Sequence, residues 1–357
     1  MKSVFASLFC VGCALGVLAL PAAAAVRTYY VAADEVLWDY APSGKDVLMD
    51  RPLPSLAPLQ VGWSYHKAVY DRYTDASFAH VVPRPAEDQY LGIIGPIIHA
   101  EVGDTIIVVF KNNTRFPLSL HPHGVEYKKD SEGAPYSDNS PKSDKADDAV
   151  APGNKYTYTW EVPERAGPGP GDPSSIMWMF HSHTDEVRDV NTGPIGEIVV
   201  TRKGMARPDG TPKDVDRELF VTFAEEDEGQ SRFYAANLAD TKLNSHHRKA
   251  APPFQGDNQF FSINGFVFGN MPVPTIYEGQ HVRWYVMATM SDFDFHAPHW
   301  HGNTVVVNGM RTDLLQVFPM QMVVADMVPD DPGIWLLHCH VNLHLLGGME
   351  ARYRVLK

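Results

Sequence analysis

The sequence predicts an all-β protein that consists of two β-sandwich domains. Short β-like runs recur along the 357 residues, and 27 glycines and 28 prolines separate them, which is typical of sandwiches with many turns. No long stretch has the periodicity of an amphipathic helix. The second half of the chain repeats the first strand for strand, and a long internal repeat of this kind indicates two copies of one sandwich.

Residues 1–25 precede the first strand and have the three parts of a secretory signal peptide. Lys2 supplies a short basic segment, residues 4–20 an apolar segment, and residues 21–25 a run of small side chains suited to cleavage. Nothing that resembles a stop-transfer segment follows. We therefore expect a secreted or periplasmic protein that is cleaved near Ala25.

The rest of the chain divides into two domains and a linker. Domain 1 spans residues 26–202, with predicted strands at residues 27–33, 102–110 and 156–162, the last of which alternates aromatic and polar side chains. Residues 203–213 are rich in glycine and proline and are the predicted linker. Domain 2 spans residues 214–357 and opens with a strand at residues 218–223. The acidic residues 225–228 that follow are interpreted as a solvated turn.

The net charge narrows the range of partners. It is −13, which argues against nucleic acid and against an anionic membrane surface as partners. The ordinary consequence of such a charge is solubility.

The cysteine content points to a metal. Cys10 and Cys13 lie in the predicted signal peptide, so the mature chain keeps Cys339 alone. A secreted protein with one cysteine has no disulfide framework, and an exposed lone thiol would be open to oxidation. Free cysteines are commonly inert buried side chains. Cys339 stands between His338 and His340, however, and this favours coordination to a metal.

Four His-x-His pairs form the strongest pattern in the chain. A single pair is weak evidence, but here two pairs occur in each repeat at corresponding places. The first repeat carries them in HPHG at residues 121–124 and HSH at 181–183, and the second in HWHG at 299–302 and HCH at 338–340. The pattern therefore predicts metal sites that both repeats share.

Cys339 belongs to a second set of ligands in the C-terminal repeat. A thiolate, two imidazoles and a weak axial thioether form the blue-copper electron-transfer site. Cys339, His344 and Met349 supply three of these ligands, and His296 supplies the fourth. In an extended strand, neighbours of Cys339 point to the opposite face. A metal held by the flanking histidines would thus lie one or two covalent links from Cys339. These bonds would give electrons a path between the two sites.

The first repeat lacks this mononuclear site. The positions that correspond to its four ligands hold Leu118, Ser182, Val187 and Thr192, whereas both His-x-His pairs survive. We interpret this as a domain that has lost its own blue site and kept its share of a cluster that both domains assemble.

These four loops resemble those of multicopper oxidases, the family of laccases, ascorbate oxidase and ceruloplasmin, and the resemblance covers nearly the whole mature chain. Residues 29–42, 95–98 and 181–187 are most similar to the ceruloplasmin branch. The overall plan resembles bacterial two-domain oxidases that carry type 1 copper in domain 2 only. The resemblance implies two cupredoxin-like Greek-key β-sandwiches.

The resemblance also implies four copper ions per chain and a role for each ligand. It implies a multicopper oxidase that takes single electrons from a donor at type 1 copper and reduces O2 to water at a trinuclear cluster. Type 1 copper is assigned to His296, Cys339, His344 and Met349. Type 2 copper is assigned to His121 and His299, and the type 3 pair to His123, His181, His183, His301, His338 and His340.

Two further residues are candidates by resemblance. Tyr127 resembles a tyrosine that two-domain oxidases place beside the cluster as a redox reserve. An ordinary aromatic side chain of the core is an equally good interpretation of this residue. Glu132 is a candidate proton donor at the same place.

The residues beside the predicted type 1 ligands bear on the identity of the electron donor. Iron-oxidising ceruloplasmin relatives carry an acidic residue directly before the type 1 histidine, where this chain has Leu343. Two other positions of the iron site align with Gly256 and Phe261. Apolar side chains suit an organic donor better than ferrous ion, which prefers oxygen ligands. We therefore expect a laccase-like enzyme, with ferroxidase or cuprous oxidase activity as the alternative.

Two other functional classes fit the sequence less well. Copper nitrite reductases need fewer cluster histidines than the eight found here, and a non-catalytic scaffold would tolerate lost ligands.

Because each domain carries half a cluster, loops of one domain 1 must meet loops of one domain 2. Three copies of a two-domain chain close a six-domain ring, so we expect a homotrimer with clusters between subunits. The sequence leaves a cluster within one chain as the alternative.

Overall fold

The computed structural model describes residues 24–57, 60–240, 258–289 and 295–357. The predicted signal peptide lies almost wholly outside this part of the chain. Among the described residues, no helix has the length and apolar character needed to cross a membrane.

The N-terminal half folds into two facing β-sheets. One sheet has the strand order β4-β1-β6-β9-β8 and the other β5-β11-β10-β7, with a small β2-β3 hairpin beside them. The strands are β1 Val26–Asp39, β2 Lys45–Asp46, β3 Arg51–Pro52, β4 Ser64–Tyr73, β5 Ile97–Glu101, β6 Thr105–Asn112, β7 His121–Pro122, β8 Glu126–Tyr127, β9 Lys155–Glu161, β10 Ser175–His181 and β11 Ile195–Thr201.

The C-terminal half repeats this plan. Its sheets have the orders β13-β12-β15-β19-β17-β18 and β14-β21-β20-β16. The strands are β12 Arg217–Asp227, β13 Gln259–Ile263, β14 Thr275–Tyr277, β15 Val282–Thr289, β16 Pro298–Trp300, β17 Val305–Val307, β18 Met310–Thr312, β19 Met322–Met327, β20 Gly333–Cys339 and β21 Glu350–Leu356.

The described helices are all short. Three are α-helices, α1 Glu186–Thr192, α2 Tyr234–Asp240 and α3 Asn342–Leu346, and four are 3-10 turns at Ala86–Leu91, Lys129–Ser131, Lys142–Lys145 and Glu164–Ala166. The structure therefore confirms the predicted all-β class with two sandwiches. The pairing is also repeated: β1 is parallel to β6 as β12 is to β15, and β5 is parallel to β11 as β14 is to β21.

One local prediction is wrong. The acidic residues 225–228 do not form a solvated turn, because β12 continues to Asp227 and pairs there with β13. Glu226 and Glu228 are buried. Their burial is a consequence of the junction between the domains, where β12 packs against domain 1, and a local charge pattern carries no information about that contact.

The two sandwiches share a continuous apolar core at this junction. One cluster joins Met177, Met179 and Val199 of domain 1 to Phe220 and Trp284 of domain 2. Across the boundary, Asn264 of domain 2 donates to the Tyr90 carbonyl at 2.9 Å, and Trp38 of domain 1 donates to the Gly265 carbonyl at 2.7 Å. The junction thus fixes the two domains of a chain as one packed body.

The junction contains a buried carboxyl group that should make stability depend on pH. Glu197 is fully buried, its Oε2 has no hydrogen-bond partner, and burial raises its pKa from 4.5 to about 8. Between these values the folded state binds more protons at this site than the unfolded state does. Stability contributed by the neutral side chain is therefore present at low pH and lost as the pH rises through this window.

We expect Glu197→Gln, which cannot ionise, to gain stability relative to the wild type as the pH rises from 5 to 9, by up to about 3–5 kcal/mol. Denaturant unfolding at both pH values measures the difference. Glu164→Gln, a change at an exposed position, is the matched control and should follow the wild type. A difference in the free energy of unfolding between Glu197→Gln and the wild type that stays constant with pH would contradict the prediction.

Candidate metal centres

The two His-x-His-Gly loops are shaped by the same backbone geometry. Gly124 and Gly302 have φ of +74° and +75°, a region that side chains with a Cβ rarely adopt. A Cβ at Gly124 would lie 2.1 Å from the Trp178 ring, and one at Gly302 would lie 2.3 Å from the Trp335 ring. Each tryptophan comes from the strand that carries the second histidine pair of its repeat. The glycine and the tryptophan therefore hold two histidine-bearing segments together.

The mononuclear set comes together inside domain 2. Cys339 ends β20, His344 lies on α3, and His296 forms an isolated bridge with Val317. The Sγ of Cys339 lies 3.5 Å from Nδ1 of His344 and 4.0 Å from Nδ1 of His296. The ligand atoms of these three buried residues lie within 4.8 Å of one another, which is the arrangement of a metal site.

Met349, the predicted fourth ligand, lies next to this set. It is buried, and its carbonyl accepts from the Cys339 N–H at 3.1 Å, so the two residues are adjacent across β20 and the start of β21. A second N–H, that of Ala297, donates to the Cys339 Sγ at 3.3 Å. Such a bond stabilises a thiolate over a thiol.

The histidine pairs of domain 2 form a separate group on the other side of Cys339. His299, His301 and His338 offer nitrogen atoms within 4.8 Å of one another. His338 Nε2 lies 3.1 Å from both His299 Nδ1 and His301 Nε2. His340 joins the group through its ring, which lies 5.3 Å from that of His338 and 5.4 Å from that of His299.

The histidine pairs of domain 1 form the matching group. His123 Nε2 lies 3.1 Å from His181 Nε2, and the rings of His121 and His183 lie 5.0 Å apart. The β-sheet register produces this arrangement, since His121 of β7 is paired with His181 of β10. In domain 2, β16 and β20 pair His299 with His338 in the same way.

Backbone carbonyls orient several of these imidazoles. The Nδ1 of His181 lies 3.1 Å from the Ser182 carbonyl, and that of His338 lies 2.9 Å from the Cys339 carbonyl. His121 makes the same kind of contact with the Glu132 carbonyl at 2.7 Å. An N–H fixed on a carbonyl leaves the other ring nitrogen as a lone-pair donor, which is the usual support of a metal-bound histidine.

The environment also keeps these rings neutral. Burial, followed by repulsion from neighbouring imidazoles, lowers the pKa of His123 and His338 to about 4 and that of His181 to about 3. The pKa values of His121 and His301 are lowered mainly by the same burial. Neutral imidazole is the form that binds metal. The donor atoms are therefore available at neutral pH without loss of protons.

The two histidine groups of one chain do not contact each other. All eight histidines are among the described residues, yet each ring contact and each potential metal group joins histidines of one domain only. The structure therefore places two separate four-histidine groups, which we call half-clusters, within a single chain.

A polar network occupies the positions of domain 1 that correspond to the mononuclear ligands of domain 2. We define the lost site as Leu118, Ser182, Val187 and Thr192. Three of these are fully buried, whereas Val187 is exposed. Ser182 Oγ donates to Asp189 Oδ2 at 2.7 Å, and Asp189 forms a salt bridge with Arg232 of domain 2. Asp189 and Arg232 belong to no sequence motif, because their pairing depends on how the two domains pack.

Tyr127 and Glu132 lie beside the domain 1 half-cluster in different ways. The Tyr127 ring is 5.8 Å from that of His121 in an edge-to-face contact, and partial burial raises its pKa. Glu132 contacts His121 through its carbonyl oxygen. Its carboxylate accepts instead from Lys129 at 2.5 Å and from Tyr136 at 2.9 Å. The geometry thus shows Glu132 as a support of His121, and proton donation by its carboxylate stays a prediction.

The surface above the mononuclear set is apolar. His344 itself is buried, and the Phe261 ring stacks on it with centroids 4.6 Å apart. Exposed apolar side chains come from the segments that hold the two histidine ligands. We call this set the apolar rim, and its members are Phe295, Phe318, Leu343 and Leu346. Asp292 and Asp294, acidic residues close to His296 in sequence that could bind a cation, lie outside the described residues, as does Gly256.

A cleft of about 1000 Å³ opens elsewhere, between the two domains. None of the predicted copper ligands lines it, and basic and acidic side chains are mixed along it, among them Arg84, Arg217, Asp88 and Glu218. The candidate metal centres therefore do not coincide with this cleft.

Comparison with known proteins gives consistent matches. Models of multicopper oxidase domains match residues 87–204 and residues 240–357. The chain is 38% identical to rat (Rattus norvegicus) hephaestin over 94% of its length, 40% identical to the human (Homo sapiens) ferroxidase HEPHL1 over 92%, and 37% identical to human ceruloplasmin over 92%. It spans only 30%, 29% and 32% of those proteins, respectively.

Solved structures show the same fold at lower identity. A multicopper oxidase, mgLAC, superimposes with a TM-score of 0.61 at 20% identity, covering 93% of this chain and 86% of that one. A copper nitrite reductase from Nitrosomonas europaea superimposes with a TM-score of 0.59 at 15% identity, covering 93% and 94%. At these identities the likeness shows the fold alone. It confirms the expected pair of cupredoxin-like sandwiches.

Proposed function

The chain belongs to the multicopper oxidase family, and we propose from this premise that it oxidises an organic donor one electron at a time and passes the electrons to O2. The observation that carries the proposal is the position of Cys339 between the two kinds of site. Its side chain belongs to the mononuclear set, while its direct neighbours His338 and His340 belong to the domain 2 half-cluster.

The residues fit copper. One set combines a buried thiol and two imidazoles with the neighbouring Met349, and the other offers only imidazoles. Both sets suit copper. Copper bound there would supply one-electron redox chemistry and a place for O2. We assign type 1 copper to His296, Cys339, His344 and Met349, type 2 to His121 and His299, and type 3 to the other six histidines of the half-clusters.

The protein residues supply position, insulation and the path for electrons. Burial of His296, Cys339 and His344 keeps water from the mononuclear set, while the covalent chain from Cys339 to both neighbouring histidines joins the two sets. Carbonyl contacts at His121, His181 and His338 hold the cluster imidazoles in one orientation. Preorganised ligands of this kind need little rearrangement during turnover.

The apolar rim supports an organic donor. Leu343 directly precedes His344 and is 62% exposed, and the apolar Phe261 ring covers one face of the His344 ring. A planar aromatic donor can pack against such side chains. Ferrous ion would have to exchange hydration water for oxygen ligands that none of these residues provides.

Oxidation of Fe(II) is the second candidate, because similar proteins are named ferroxidase. A steady-state comparison of O2 uptake with hydroquinone and with Fe(II), on protein of measured copper content, tests both. Faster turnover with hydroquinone supports the proposal, and faster turnover with Fe(II) replaces it by the second candidate. Consumption of nitrite instead of O2, or of neither, would overturn both.

An acidic group at the rim should reverse the preference for donors. We expect Leu343→Glu to raise kcat/KM for Fe(II) by about tenfold or more and to lower kcat/KM for hydroquinone, because the new carboxylate supplies a hard oxygen ligand beside His344. Val26→Glu, a similar change at an exposed position on β1 of domain 1, controls for added negative charge. Equal effects of the two variants would contradict a specific role of position 343.

The separation of the half-clusters leads us to propose that clusters form between subunits of a homotrimer. Each half-cluster offers only four histidines, and the two groups of one chain do not meet, so each needs a half-cluster of another copy. A closed ring of three chains satisfies every half-cluster, as cyclic symmetry requires. We further propose that this assembly works outside the cytoplasm, in keeping with the signal-like residues 1–25.

A further inference from the structure

A segment of domain 2 lies across the lost site of domain 1. Residues 227–240 leave the end of β12 and contact domain 1 repeatedly. Arg232 donates through Nε to Asp189 Oδ1, and its backbone N–H donates to Thr192 Oγ1 at 2.9 Å. Asp189 Oδ2 accepts from Ser182 Oγ at 2.7 Å. Arg232 is therefore bound directly to Thr192 of the lost site and, through Asp189, to Ser182 of the lost site.

A second buried ion pair joins the domains beside the first, with the charges reversed. Lys67 of domain 1 donates to Glu228 of domain 2 at 2.5 Å, and both side chains are fully buried. Lys67 also donates to Tyr40 Oη and to the Asn191 carbonyl, each at 3.0 Å. Since Asn191 precedes Thr192, the two pairs are neighbours at one boundary.

Reversed pairs of this kind define one arrangement of the two domains. Removing one partner of a buried ion pair leaves an uncompensated charge, which is strongly unfavourable. Domain 1 contributes a positive and a negative side chain, and domain 2 contributes their complements. A rotation or shift of one domain would therefore separate both pairs or bring like charges together.

We propose that the lost site now serves as one half of a two-point lock, formed by the pairs Asp189–Arg232 and Lys67–Glu228. The lock holds the two half-clusters of a chain apart and orients each toward a neighbouring subunit. Asp189 and Arg232 are thus positioning residues for cluster assembly. In this way the lost site helps to position the two half-clusters. This inference rests on the proposed trimer with clusters between subunits.

The test uses full-length, copper-loaded protein and three measurements: mass in solution by light scattering, copper per chain, and blue absorption. We expect Arg232→Met to raise the dissociation constant of the trimer by about tenfold or more and to lower cluster copper. Blue absorption should persist, because the mononuclear set lies wholly within domain 2. Arg188→Met is the matched control, since Arg188 faces Asp185 in an exposed pair at 4.0 Å and such pairs contribute little.

A second variant separates orientation from stability. Asp189→Asn/Arg232→Met removes both charges and should regain the thermal stability lost in Arg232→Met, because no buried charge is left unpaired. The lock predicts that the trimer stays weak in this double variant. Recovery of the trimer together with stability, loss of blue absorption in Arg232→Met, or an unaffected trimer would each overturn the lock.

Failure of the lock differs from failure of the proposed function. A wild-type trimer with full copper content that is insensitive to Arg232→Met overturns the lock alone. A wild-type protein that binds a complete set of copper as a monomer overturns both the lock and the proposed trimer, because no neighbouring subunit would then complete the clusters.

Discussion

Replacement of Cys339 by serine is expected to abolish the blue absorption and to lower turnover by a factor on the order of a thousand or more. Serine has nearly the shape of cysteine, but its hydroxyl is hard and stays protonated, so it cannot replace a soft thiolate. Cys339 is buried with its Sγ 3.5 Å from His344, and no other cysteine is present among the described residues. The electron path from donor to cluster would therefore lose its first step.

Copper analysis and absorption spectra measure this effect together with steady-state O2 uptake. Copper content should fall by about one ion per chain, because both half-clusters keep their histidines. Met349→Leu is the matched control. It removes only the weak axial ligand, so blue absorption should persist with a changed reduction potential. A Cys339→Ser protein that keeps its blue colour, or that loses all of its copper, would contradict this assignment.

The parts of the site that the sequence predicts well are those in which chain spacing determines geometry. Strand alternation places His338 and Cys339 on opposite faces whatever surrounds them, and the structure has His338 near His301 and Cys339 near His344. The internal repeat extends the same reasoning to domain 1, where His121 pairs with His181 as expected from His299 and His338.

The parts that the sequence does not predict depend on packing between domains. Glu226 and Glu228 have the appearance of a surface turn, yet both are buried because domain 1 covers them. Arg232 belongs to no sequence motif. Its role depends on its ion pair with Asp189, which lies 43 residues away and in the other domain. Glu132 is a candidate proton donor by resemblance, whereas in the structure its carbonyl makes the contact with His121. For Glu228 and Arg232 the decisive partners, Lys67 and Asp189, lie in the other domain.

Two inactive variants are expected to restore each other if clusters form between subunits. His123→Ala disables the domain 1 half-cluster of a chain, and His301→Ala disables the domain 2 half-cluster. Alone, each variant has no intact cluster in either arrangement. In a mixed trimer, one boundary joins the intact domain 1 of a His301→Ala chain to the intact domain 2 of a His123→Ala chain, and that boundary is complete.

The recovered activity has a calculable size. Random assembly of equal amounts places both variants in about three quarters of the trimers, and each such trimer has one intact cluster of three, so activity should reach about a quarter of the wild type. The electron path to that cluster is also intact, because neither substitution touches Cys339 or His344. Co-expression followed by O2 uptake and copper analysis provides the measurement.

The control for this experiment is a pair of variants in the same half-cluster. His123→Ala and His181→Ala both disable domain 1, and their ring contact shows that they belong to one group, so no boundary of any mixed trimer can be complete. Co-expression of this pair should therefore stay inactive. Recovery by the cross-domain pair together with inactivity of the same-domain pair is expected only when two chains contribute to one cluster. A cluster within one chain predicts no recovery for either pair, since every chain would carry its own defect.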